Sequence, residues 1–269
     1  MDELNKHDES MEEVEELGLT DKIVSVLSEP GELFSKLSNL PVKTMDWLLP
    51  LLLVIIVAII SNFTLMSNPE IKADIVEKQM SQFEKNFQEA VDKGQMTQAQ
   101  ADEQLDKIAE RMEGGGSGQM IISSVAIVII SFVSFFIISG VFLSLAKFAL
   151  GGNGDYKSSI LAYGMPHYIM VIQIVIMIIA AMGMGKMFMD TSVGSFMGME
   201  KNTIVEWFMH KLDPLSIWFY AVVGIAYAKM FKSDNTVKYI LAIFAMWFGF
   251  SLLMHFAAQA LPFLKWFGM

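Results

Sequence analysis

Long apolar stretches alternate with polar ones along this chain, and five of them, at 47–66, 120–146, 163–185, 215–231 and 237–256, are apolar enough to cross hydrocarbon. The fourth is the shortest. Lys229 near its end can carry its ammonium to the interface while the stem stays in the apolar layer. A different pattern fills 69–113. There "IKADIVEKQMSQFEKNFQEAV" sets Ile71, Ile75, Phe83, Phe87 and Val91 largely four residues apart, which predicts a helix with one apolar face. Gly94 supplies a stop, and "TQAQ" at 97–100 has the form of a capping box. A second helix follows to about Met112, with Leu105, Ile108 and Met112 facing the first, and "GGGSG" at 114–118 reads as a flexible exit.

The predicted fold class is therefore all-α: an integral membrane bundle of five transmembrane helices with an extracytoplasmic helical hairpin inserted at 69–113. Residues 1–46 form an acidic cytoplasmic segment with interfacial amphipathic pieces, "TDKIVSVL" and "ELFSKL", separated by Pro30 and Gly31. Residues 47–269 form the membrane domain. Lys36 and Lys43 before the first span, Lys147 and Lys157 around the second connection, and Lys229, Lys232 and Lys238 around the fourth place these regions in the cytoplasm. The N-terminus is then inside and the C-terminus outside. The acidic "MDELNKHDESMEEVEEL" lacks the positive start of a secretory signal, so the first span is expected to be retained as an anchor.

Composition agrees with this pattern and narrows the chemistry. With 54% hydrophobic residues, 18% charged and a mean hydropathy of +0.46, the chain has too much apolar surface for an ordinary soluble core. The net charge of −10 marks water-facing parts, because 23 of the 29 acidic residues lie in 1–46 and 68–119. Cys is absent, which removes disulfides, thiolate nucleophiles and Cys-ligated metals.

No zinc-hydrolase spacing exists: Glu206 and His210 make a single i, i+4 pair rather than H-E-x-x-H. Ser195 lies outside any G-x-S-x-G, and "GGNG" at 151–154 lacks the Lys-Ser/Thr of a P-loop. No catalytic residue, cofactor-binding residue, metal ligand or nucleic-acid partner is assigned. Polar groups within spans carry more weight, since hydrocarbon leaves them no solvent. These are Asn62, His167, Gln173, His255 and Gln259, and interhelical hydrogen bonding is their expected use. Pro166 in "ILAYGMPHYIM" predicts a kink at the start of the third span, with His167 near an interface. Asp213 and Pro214 form an N-cap and first helical position, while "TIVEWFMHKL" fits an interfacial helix with Trp207 and Trp218 near the headgroups.

Several segments in order resemble the Yip1 domain family: "IVSVLSEPGELFSKL" at 23–37, "ILAYGMPHYIM" at 160–170 and "LDPLSIWFYAVVGIAYAKMF" at 212–231. The resemblance implies five spans and a cytosolic N-terminus. Eukaryotic relatives are associated with vesicle traffic, Rab GTPases and membrane shaping, but their Asp-Leu-Tyr-Gly-Pro pattern is missing here. The resemblance transfers no catalytic residue, and together with the lack of Cys it points to a bacterial inner membrane. The expected function is a non-enzymatic scaffold or adaptor that organises lipids or protein partners, the latter through 69–113. The alternative is a small-solute channel or transporter through the bundle, using Gln173 and His255.

Overall fold

The computed structural model describes residues 17–113, 117–199 and 203–260, and every regular element among them is helical. Two short helices come first, α1 (Leu19–Ser28) and α2 (Pro30–Leu37). Pro30 at the first position of α2 has no amide to leave unpaired, so it starts a helix as readily as it ends α1. Val26, Leu33, Phe34 and Leu37 turn inward and join one core with Leu161, Tyr227 and Phe231. Lys22 of α1 makes a 2.7 Å ion pair with Asp46, at the start of the next helix.

That helix, α3 (Thr44–Ser67), runs almost directly into α4 (Pro69–Asp92) across Asn68, whose side chain accepts from the Glu70 and Ile71 amides. Gly94, at φ 68°, takes the left-handed conformation that ends α4. Thr97 and Gln100 cap α5 (Gln98–Glu113) reciprocally, so the two form the hairpin that the sequence pattern predicts. Ala101 and Phe87 are buried in it, and Leu105 and Ile108 are half-buried. Its base sits on the bundle: Ile71 and Ile75 pack with Leu65, Ala181 and Phe188. Of the expected flexible exit, 114–116 lie outside the described residues, whereas Ser117 and Gly118 already belong to α6 (Ser117–Ser144). A π-helical turn, Leu145–Ala149, extends α6.

The third apolar stretch is two helices, α7 (Tyr156–Gly164) and α8 (His167–Met184). Asp155 caps α7. Its bond from the Ser158 amide is the main reason its carboxyl sits below the usual range, against a smaller opposing effect of burial. Pro166 lies ten residues into this stretch rather than at its start, because the stretch begins at Tyr156 and not at 163, with Ser159 to Gly164 all buried. After two short helices, α9 (Val193–Phe196) and α10 (Ile204–Met209), the chain continues through α11 (Pro214–Met230) and α12 (Thr236–Ala260).

Four stretches are long and apolar enough to cross a membrane: Thr44–Ser67, Met120–Ala149, Tyr156–Met184 and Thr236–Ala258. The fifth expected span, α11, has 17 residues. At 1.5 Å per residue it is about 26 Å long, short of the roughly 30 Å hydrocarbon layer. It is also densely packed, with Val222, Val223, Ala226, Tyr227 and Ala228 all buried. Gly224 explains its closest neighbour: a Cβ there would stand 2.6 Å from the Ile240 Cα, so only glycine lets α11 and α12 meet backbone to backbone.

Candidate functional site

The polar groups expected inside the spans occupy separate places. Asn62 of α3 donates to Ser123 of α6 at 2.9 Å, and the Ser123 hydroxyl in turn donates to the Met120 carbonyl. His167 stands at the α7–α8 break, where Pro166 interrupts the backbone ladder. Its Nδ1 lies 2.9 Å from the Tyr163 carbonyl, the acceptor that its own amide would have met in an unbroken helix. A carbonyl accepts only, so Nδ1 is the donor. Phe135, Tyr163 and Phe219 surround the ring with centroids 4.9 to 5.5 Å away, leaving His167 5% exposed. His255 on α12 packs by Trp207 of α10, whose indole donates to Ser251 at 3.1 Å. Gln259 lies in the last turn of α12, with its side chain outside what is described.

Gln173 of α8 belongs to the most concentrated polar arrangement in the fold. It is built on the connection from Gly185 to Asp213, where Gly185 ends α8 at φ 65°. Asp213 caps α11 and is 1% exposed. Its Oδ1 accepts from Thr191 Oγ1 at 2.6 Å and from the Leu215 amide at 3.1 Å. Its Oδ2 accepts from Gln173 Nε2 and Ser216 Oγ, both at 2.8 Å. Neutral donors from three places along the chain thus hold a buried carboxylate without a cation among them.

A second carboxylate, Asp190, immediately precedes Thr191 in the chain. Asp190 Oδ1 accepts from the hydroxyls of Ser192 and Ser195, while Ser192 also caps α9 by accepting from the Ser195 amide. His210 approaches from the end of α10: Nδ1 is 3.2 Å from Ser192 Oγ and 3.3 Å from Asp190 Oδ2, and Nε2 is 3.0 Å from the Met199 carbonyl. Gly194 permits this approach, since a Cβ there would lie 2.7 Å from the imidazole.

Ser, His and Asp therefore meet, but not as a proton relay. A relay needs the acid and the hydroxyl on opposite ring nitrogens, whereas here both face Nδ1 and a backbone carbonyl takes Nε2. Ser192 is fully buried, so its hydroxyl has no open approach. The arrangement clasps a loop. No group of three or more His, Asp or Glu among the described residues is placed to hold a metal ion.

From the sequence, Ser195 had no assignable partner, and Asp190, Ser192 and Thr191 were not singled out. The local signal was D-x-S-x-x-S at 190–195, a carboxylate followed by two hydroxyls at turn spacing. Nearer the hairpin, Asp74 accepts from the Met187 amide and the Lys78 ammonium, each at 2.9 Å. Burial raises the Asp74 pKa, but Lys78, the Met187 amide and the more distant Lys186 together outweigh it and hold the carboxyl below its ordinary value.

Neither a curated protein nor a solved structure matches the chain. The Yip1 domain model matches residues 24–257, from within α1 almost to the end of α12. That match takes in the packed N-terminal helices, the broken third stretch and the Asp213-capped helix alike, and so this chain belongs to the Yip1 domain family.

Proposed function

We propose that this protein is a non-enzymatic membrane scaffold or adaptor that presents its hairpin to protein partners on one side of a bilayer and organises lipids around its bundle. In this reading the protein has five spans, with α11 as the short central one, and lies in a bacterial inner membrane. The N-terminus is cytoplasmic, and the hairpin and C-terminus are extracytoplasmic.

The two ends of α11 support that topology. Its start bonds to Gln173 and Thr191, in the half of the molecule where Asp74 of the hairpin bonds to Met187. Its end accepts from the Asn153 amide at 3.0 Å, among the Lys-bearing connections, where Lys238 also donates to the Leu150 carbonyl. Ends so placed support reading α11 as a span.

The observation that carries the functional reading is the hairpin's attachment. Buried Ile71 and Ile75 and the Asp74 carboxylate join its base to the bundle, while residues such as Glu84, Lys85, Asp102, Glu103 and Asp106 remain exposed. A rigid charged projection from a membrane bundle is suited to recognition by complementary charge. Crosslinking in intact membranes tests this, comparing the native chain with one whose 69–113 segment is replaced by a short Gly-Ser connector. The expected result is loss of crosslinked partners with membrane insertion intact. An unchanged partner set would overturn the hairpin's role.

A further inference from the structure

The connection after α8 does not stay at the helix end from which it departs. Gln173, which bonds to Thr191 and Asp213, lies 11 residues before Met184, the last residue of α8. At 1.5 Å per residue, that places the Thr191–Asp213 contact about 16 Å back down α8.

Helix α12, whose described residues end at Ala260, also runs past this level on the other flank. Trp207 of α10 bonds to Ser251, nine residues before Ala260, and Lys211 lies 5.1 Å from the Trp247 ring, 13 residues before it. These separations correspond to about 14 Å and 20 Å along α12. The connection therefore turns back into the bundle and fills the space beyond the start of α11, which accounts for the shortness of that helix.

The surfaces at this height are apolar. Ile179 on α8 is 67% exposed and Leu253 on α12 is 64% exposed, and beside them the connection itself exposes Met197 at 63% and Val205 at 60%. Thr191, Ser192, Ser195 and His210 point the other way, into the clasps around Asp190 and Asp213, Lys211 lies over the rings of Trp207 and Trp247, and Thr203 and Glu206 bond to each other's backbone amides. Its backbone is bonded internally as well: Val193 donates to Leu212, Trp207 to Thr203 and His210 to Glu206. Non-helical backbone at membrane depth is tolerated under that condition, when protein satisfies it. Apolar side chains outward and polar groups inward are the reverse of an aqueous loop.

We propose that residues 186–199 and 203–212 form a re-entrant cap immersed in the leaflet on the hairpin's side, with Met197, Ile204, Val205 and Phe208 contacting lipid acyl chains. The occupant of this face is lipid, because its exposed Met197, Ile204, Val205 and Phe208 continue the exposed apolar surfaces of α8 and α12. The inference deepens the lipid half of the proposed function and rests on its membrane placement, but not on the hairpin, whose crosslinks are read separately.

The absence of Cys from this chain gives a clean test. Single substitutions Met197→Cys, Val205→Cys and Leu253→Cys, with Gln104→Cys on the hairpin as the aqueous reference, are reconstituted in vesicles and spin-labelled. Collision with oxygen, which favours hydrocarbon, is compared with collision with a water-soluble nickel chelate. Labels at 197 and 205 are expected to match the one at 253, and those two thiols should react with a polar maleimide at least about tenfold more slowly than the one at 104, since only the thiolate reacts. Nickel accessibility at 197 and 205 equal to that at 104 would overturn the proposal. Shielding from both collision partners, relieved by dilution with unlabelled protein, would also overturn it by assigning the face to a second copy. Having one position just after α9 and the other in α10 keeps the test decisive if one variant fails to insert.

Discussion

The two ends of α11 are held in different ways. At its start a carboxylate collects hydroxyls, an amide side chain and backbone amides, whereas at its end the buried polar groups are neutral and few. There Tyr227 and Ser159 share one 2.6 Å contact; Ser159 donates to the Ser139 carbonyl, which makes Tyr227 its donor. The rest of that end is close packing by Phe142, Phe231 and the α2 residues. One end thus depends on satisfied charge and the other on fit, and the two should fail differently.

The largest effect is expected at Asp213. Replacing it with Ala would leave the Gln173 amide, the Thr191 and Ser216 hydroxyls and the cap amides without their acceptor, and buried orphan donors cost about 1–3 kcal/mol each. A loss of about 3 kcal/mol or more is expected in detergent-solubilised thermal unfolding. Asp213→Asn keeps one acceptor oxygen and should lose clearly less. Equal losses for both variants would show that a neutral amide oxygen cannot stand in for the carboxylate, whereas an unchanged Asp213→Asn would show that the charge is not what holds this end.

Gly224→Val tests the reliance on fit. The added Cβ would meet Ile240 backbone at 2.6 Å, which a side-chain rotation cannot relieve, so overpacking of about 1–3 kcal/mol is expected. Unfolding temperature reports it, and an unchanged value would mean that α11 and α12 separate freely. Tyr227→Phe should matter less. It removes one hydroxyl from a buried pair, and interhelical bonds in membrane proteins average about 0.6 kcal/mol. A loss approaching that of Asp213→Ala would end the distinction between the two ends.

Local rules made much of this fold readable in advance. Thr97–Gln100 and Asp213–Pro214 each announce a helix start within four residues, and each forms its cap. The break at Pro166 was legible too, but its position was not. The α7 residues carry two Ser and two Tyr that weaken the hydropathy signal, although Ser159 and Tyr163 are buried. Least legible were Gln173 with Asp213, 40 residues apart, and His210 with Asp190, 20 apart. Those pairings depend on the path by which 186–212 returns to the bundle, and no periodicity encodes that path.

The smallest expected effect lies where the hairpin meets this polar end. Asp74 has its pKa depressed in the folded protein, so the carboxylate form stabilises the docked hairpin. Its contribution is then complete above the ordinary value of 3.8 and is lost as pH falls through the lower folded value. The Met187 amide reports this directly, because protonated Asp74 is a weaker acceptor for it. Hydrogen exchange at Met187 should accelerate below about pH 4 relative to the intrinsic rate, while amides in the middle of α11 keep their protection. With Asp74→Asn the acceleration should be present at neutral pH and lose its pH dependence. If Met187 instead kept native protection in that variant, Ile71 and Ile75 alone would dock the hairpin, and this junction would resemble the end of α11 that is held by fit.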